Sequence, residues 1–139
     1  MRVMALDVGD RNIGLAVSDE TGTIAMGLGV IKRTSIAEDI KKLKAIIEEN
    51  DIKKIVVGMP VNMNGSIGFQ GKKVMNFIDE LKDDFKIPIV TWDERLTTVI
   101  AEKALIQADI SRKKRKGLID KMSAVVILQN YLDCQKIVD

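Results

Sequence analysis

Two short apolar runs constrain this chain more than anything else in it, Val3-Met4-Ala5-Leu6 and Ile55-Val56-Val57. Neither alternates with polar residues, so each suits a strand covered on both faces, and such strands belong to parallel or mixed sheets flanked by helices. The first run ends at Asp7 beside a Gly9-Asp10 turn signal, and the second ends at Gly58, shortly before Pro60. A carboxylate at position 7 therefore sits at the rim of a buried sheet. With 139 residues the chain makes one domain, covering 1–139, which buries roughly two-thirds of its unfolded surface and needs no metal or disulfide to fold.

The remaining elements follow from turn signals and periodicity. Ile13 to Ser18 and Thr23 to Ile31 are joined by Asp19-Glu20-Thr21-Gly22, and they complete an antiparallel meander in which Ile24, Met26, Leu28 and Val30 share one face. Ser35 and Glu38 form a capping-box signal, after which Ile36, Ile40, Leu43 and Ile47 keep helical spacing until Asn50. Lys54 to Gly58 is the fourth strand. Met59 to Gly71, rich in Gly and Asn, predicts a long mobile loop over the functional edge. Val74, Phe77, Ile78, Leu81 and Phe85 space a second helix, and Pro88 to Trp92 makes a fifth strand. A third helix is expected from about 95 to 108 and a last one from about 118 to 132, with Asp120 in its first turn.

Right-handed crossovers place the fourth and fifth strands parallel to the first and beside it. The expected architecture is α/β: a five-stranded mixed sheet, three antiparallel strands followed by two parallel ones, with helices on both faces. Ligand sites in such sheets form at the carboxyl ends of the parallel strands.

Composition removes several chemistries. The chain has no histidine and one cysteine, Cys134, so Ser-His-Asp and Cys-His nucleophile pairs are excluded, as is a zinc site of the usual ligands. Hydrolysis must then rest on carboxylates and hard metal ions. No apolar stretch is long enough for export or membrane insertion, which makes a cytoplasmic protein the expectation. The net charge of +2 comes from 22 bases and 20 acids, yet five bases are consecutive, Arg112, Lys113, Lys114, Arg115 and Lys116. Without them 17 bases face 20 acids, a balance of −3, so positive charge is concentrated where a phosphate backbone would dock. A solvated loop is the alternative.

Asp7 ends the first strand, Asp93 and Glu94 end the fifth, and Asp120 begins the last helix; the topology converges all three places on one rim. Bridging carboxylates suit Mg²⁺, which keeps several waters and binds substrate phosphate oxygens. Gly14, in the returning strand, leaves room beside Asp7. Each acid also has a plainer reading. Asp7 can serve its own turn, Asp93 and Glu94 can sit in a solvated strand-to-helix turn, and Asp120 can complement a helix dipole.

Four blocks, residues 7–14, 57–66, 93–98 and 116–125, occur in order and resemble the YqgF/RuvX family over nearly the whole chain. The resemblance implies a ribonuclease H-like fold and a nuclease. It points to Asp7, Glu94 and Asp120 as catalytic acids and Mg²⁺ or Mn²⁺ ligands, with Asp93 a further ligand candidate. Arg11, Asn62, Arg95 and the run 112–116 are the expected nucleic-acid contacts. Members of the family are taken to trim the 5′ end of pre-16S ribosomal RNA and were earlier taken for Holliday-junction resolvases. Precursor rRNA is thus the favoured partner and branched DNA the alternative, for a monomer or weak homodimer. Asp10 departs from the small polar residue of many relatives, and the fourth strand ends in Gly58-Met59 where many ribonuclease H-like enzymes carry an acid. Two other classes compete: a phosphate-cradling domain of the sugar-kinase type, and a nucleic-acid-binding factor that cuts nothing.

Overall fold

A computed structural model of the chain describes residues 1–62, 64–94 and 112–138, with the backbone alone for 112–121 and 136–138. The elements are β1 (Arg2–Val8), β2 (Asn12–Ser18), β3 (Ala25–Lys32), α1 (Ile36–Glu49), β4 (Ile52–Met59), α2 (Phe69–Asp84), β5 (Ile89–Asp93) and α3 (Arg112–Val138). They build one five-stranded sheet in the order β3-β2-β1-β4-β5. The pairs β1–β2 and β2–β3 are antiparallel, while β1–β4 and β4–β5 are parallel, as the topology rules require.

The unbroken apolar runs are explained by a core on each face. Met4, Leu6, Ile55 and Val57 point to one side, where Leu43 of α1 and Phe77 of α2 cover them. Val3, Ala5 and Val56 point to the other, where Ala124, Ile127 and Leu128 of α3 cover them. Period-2 alternation along β1 and β4 therefore sorts every neighbouring position onto a known face. By that rule Asp7 and Gly58 lie on the α3 side.

Four expectations are corrected. On β3, Ile24 just before it, Met26 and Val30 are exposed at 57%, 45% and 42%, and only Ile31 of the strand is buried. A register shift opposite Leu15 and Ala16 interrupts the alternation, and β3 is an edge strand, so one of its sides meets solvent. Ile36 is likewise exposed, since it stands in the first turn of α1, while Ile40, Leu43 and Ile47 are buried. The segment after β4 is shorter than expected: α2 begins at Phe69 and includes Gly71, whose missing Cβ admits Ile67 Cγ2 and Pro60 O, 2.4 and 3.0 Å from where it would stand. Within it, Asn62 N donates to Ser66 O at 2.9 Å and Gly65 N to Asn62 O at 2.8 Å.

The fourth correction concerns α3, which starts at Arg112 rather than near 118. Lys and Arg are good helix formers and one glycine costs a helix only about 1 kcal/mol, so the basic run and Gly117 continue the helix instead of preceding it. The predicted helix over about 95–108 lies outside the described residues.

A candidate carboxylate site at the sheet edge

Asp7 is the seventh residue of the chain and the sixth of β1, paired across the sheet with Gly14. The glycine opposite is buried and puts no side chain beside this carboxylate. On the other flank lies β4, where Gly58 shares Asp7's face of the sheet.

Glu94 reaches that same face from β5. Its amide donates to Met59 O at 3.2 Å, extending the β4–β5 ladder by one bond. Two residues earlier, Trp92 fastens the strand to α3: its ring meets Tyr131 edge-on, with centroids 5.4 Å apart at 87°, and Nε1 donates to Asn130 Oδ1 at 3.3 Å. With its backbone held so, the Glu94 side chain folds back over Gly58. A Cβ built on Gly58 would stand 2.4 Å from Glu94 Oε2 and 2.6 Å from Ile127 Cδ1. The absence of a side chain at position 58 is thus what makes room for the carboxylate. The sequence shows that β4 lacks a terminal acid; the structure shows an acid from β5 lying over that place.

The electrostatics follow from this packing. Burial pushes the Glu94 carboxyl up to about 7, and the charges of Asp7 and Asp93 push in the same direction. Asp93 is exposed and paired with Met59, a residue of the opposite core, so it stands on the other face of the sheet from Glu94. Asp7 and Glu94 are the pair brought together. The backbone of Asp120 is helical, nine residues into α3, so a first-turn capping role does not apply to it. Its side chain, and those of Arg112, Lys113, Lys114, Arg115 and Lys116, lie outside the described residues, as does Arg95.

Asp10 is accounted for. Its carboxylate pairs with Lys73 of α2 at 3.2 Å, and the Lys73 hydrogen bond and charge, helped by Gln70 and Arg33, hold it below the usual carboxylate range. It ties the β1–β2 turn to α2. The same turn is held from below by Arg33, whose Nη1 donates to Gly9 O at 2.8 Å while Nε donates to the buried Asp39 at 3.1 Å. Arg33 N also donates to Arg11 O, which leaves the Arg11 side chain exposed at the rim. Asn62 is exposed, and its Nδ2 donates to Ser66 Oγ at 3.1 Å within its own turn.

Gly58, which makes room for Glu94, and Arg33, Asp39 and Lys73, which hold the β1–β2 turn, are residues that sequence reasoning did not single out. Gly58 carried a signal, since an acid is missing there. Nothing in the sequence links Lys73 to Asp10, 63 positions apart.

Among the described residues no three acidic or thiol side chains gather closely enough to hold a metal ion. The donor chemistry nevertheless fits a hard divalent cation. The Glu94 carboxyl, whose proton affinity is raised by burial and by the charge of Asp7, is relieved by positive charge placed beside it, and a hard ion completes its shell with water and further oxygen donors.

A family model described as "RuvX: Holliday junction resolvase" matches residues 1–134. A protein of Thermoanaerobacter pseudethanolicus named "Putative pre-16S rRNA nuclease" is 60% identical over 137 residues, 98% of this chain and 99% of its own. A protein of Desulforamulus reducens with the same name is 59% identical over 96% of this chain and 97% of its own. Among solved structures, the Fowlpox virus resolvase bound to Holliday junction DNA superposes with a TM-score of 0.60 at 13% identity, covering 97% of this chain and 99% of that one. The T. thermophilus RuvC complex with a Holliday junction substrate gives 0.59 at 15% identity, over 98% and 96%.

Proposed function

The chain belongs to the RuvX family, and from that membership we propose a metal-dependent nuclease that hydrolyses phosphodiester bonds and trims the 5′ end of precursor 16S rRNA. The observation that carries the reading is the Asp7–Glu94 pair at the carboxyl edge of β1 and β4, with Glu94 held near neutrality. Full-length relatives named for pre-16S rRNA choose the substrate.

Asp120 completes the set in this reading. Position 120 is four residues before Ala124 and seven before Ile127, so the helical period aligns it with the stripe of α3 that covers the sheet. The helix passes from Ile127, over Gly58, to Tyr131, against Lys54 near the other end of β4. Its earlier turns therefore advance toward the acid edge, about 1.5 Å for each residue. Asp7, Glu94 and Asp120 would hold Mg²⁺ or Mn²⁺, with exposed Asp93 adding negative charge behind Glu94. When bound, such ions acidify water and neutralise the leaving oxygen. Without a metal ion, burial and the charge of Asp7 raise the proton affinity of Glu94, so metal binding there would displace a proton and leave the carboxylate as a ligand. Arg11 and the basic run of α3 supply phosphate contacts.

The test offers purified protein a precursor rRNA 5′ leader and a four-way DNA junction, each with Mg²⁺ or Mn²⁺. Shortened leader with an intact junction is expected, and Asp7→Asn, Glu94→Gln and Asp120→Asn should each abolish it while remaining folded. Wild-type rates in any one variant remove that residue from the site. Paired symmetric nicks in the junction, without leader trimming, would replace the rRNA reading with junction resolution.

A further inference from the structure

Phe69 opens α2 with 74% of its surface exposed, the most of any large apolar side chain among the described residues. A ring in that position adds little to the core. It is nevertheless held in place. Lys73 Nζ lies 4.5 Å from the ring centroid and, on its other side, 3.2 Å from Asp10 Oδ1. Asp10 stands three residues beyond Asp7, in the turn that Arg33 fixes through Gly9 O. Before the ring, Gly68 abuts the amide of Asn62, which would be 3.1 Å from a Cβ at that glycine. The turn bearing Asn62 leaves the carboxyl end of β4, the end where Glu94 covers Gly58. An exposed aromatic surface is thus tethered, from two directions, to the turn that follows Asp7 and to the end of β4 over which Glu94 folds.

We propose that Phe69, with Lys73 against one face, is a stacking platform for an unpaired base of the RNA strand that crosses the carboxylate edge. The proposal rests on the nuclease reading and names how that site engages its substrate. An aromatic face accepts any base, because every base has a π-face of its own, and so it holds a strand without reading its sequence. The ammonium of Lys73 favours the ring electrostatically from one side and leaves the other side to the base. Exposed Lys72 lies next to it in sequence, within reach of the phosphates that flank a stacked nucleotide. A base held here would have its strand running past the Asp10 turn toward Asp7.

Binding is measured in EDTA, so that no cleavage occurs, by anisotropy of a labelled single-stranded RNA of about 12 nucleotides, a length in the range that such surfaces cover. Phe69→Ala should weaken binding by roughly 5- to 150-fold, the equivalent of one base stack. Phe69→Trp should bind at least as tightly as the wild type, and Phe69→Leu, apolar but without a π-face, should not restore affinity. The same RNA in a blunt duplex, or carrying abasic nucleotides throughout, should bind Phe69→Ala and wild type alike. Equal binding of single strands by Phe69→Ala and wild type, or an equal weakening on the duplex, overturns the platform. The melting temperature of Phe69→Ala should match the wild type, as an exposed ring requires. Failure of the nuclease reading appears elsewhere, as a precursor rRNA leader and a four-way junction both left uncut by the wild type with added Mg²⁺ or Mn²⁺, and leaves the EDTA comparison interpretable.

Discussion

At the scale of single residues, the position that decides most is a glycine. Gly58 has no chemistry of its own, yet a methyl group there would occupy the space of Glu94 Oε2. Gly58→Ala should therefore displace the carboxylate by about an ångström, and misplacement of that order costs roughly a hundredfold in turnover. The loss should fall on kcat with KM for RNA little changed, because the phosphate-binding groups lie elsewhere. Ile127→Val in the Gly58→Ala background supplies the control. Valine lacks Cδ1 and relieves the apolar half of the clash alone. Activity restored by Ile127→Val would show that the glycine serves packing, not the acid. Asp10 shows the opposite lesson: it is an acid near the site whose charge is committed to Lys73.

At the scale of elements, α3 joins two stretches that the sequence reads as separate. Its latter half covers one face of the sheet through Ala124, Ile127, Leu128 and Tyr131. The backbone of its first turns, which carry the five consecutive bases, is helical rather than an extended loop. Replacing Arg112, Lys113, Lys114, Arg115 and Lys116 by glutamine should weaken RNA binding for all sequences alike. The slope of log affinity against log salt should flatten by about 0.7 for each phosphate of a single strand that is no longer neutralised. Glutamine keeps helix propensity, so the fold should be unaffected. An unchanged slope in a salt titration would show that the run faces solvent without a partner. Elsewhere the described helices are too polar or too short to cross a membrane.

For the whole molecule, the acid edge is a standing cost to stability that pH reveals. The folded Glu94 carboxyl is raised to about 7 from an ordinary value of 4.5. Between those values the folded state retains a proton that the unfolded chain has released, so stability falls as pH rises through this window and levels off above it. The full effect is on the order of 3 kcal/mol. Glu94→Gln removes it: in urea titrations the variant should match wild type near pH 4 and exceed it at pH 8. Added Mg²⁺ should stabilise wild type at pH 8 more than it stabilises the variant. A wild-type stability that stays flat from pH 5 to about 7.5, within about 0.5 kcal/mol, would place the Glu94 carboxylate in open solvent.

The order of amino acids alone dictates the sheet, its strand order and the faces of its central strands, because an apolar run that does not alternate has no stable place except between two covered layers. It also singles out Asp7, Asp93 and Glu94, since each is fixed by where a strand stops. What it leaves undecided depends on contacts between distant segments. Whether Glu94 or Asp93 turns inward is set by the parity of β5 against Met59 and by the space over Gly58. The exposure of Met26 and Val30 is set by a register shift and by the position of β3 at the edge of the sheet. The roles of Asp10 and Phe69 are set by Lys73, which meets both only once α2 has packed against the β1–β2 turn. Local periodicity carries information about neighbours along the chain, and these choices were made by neighbours in space.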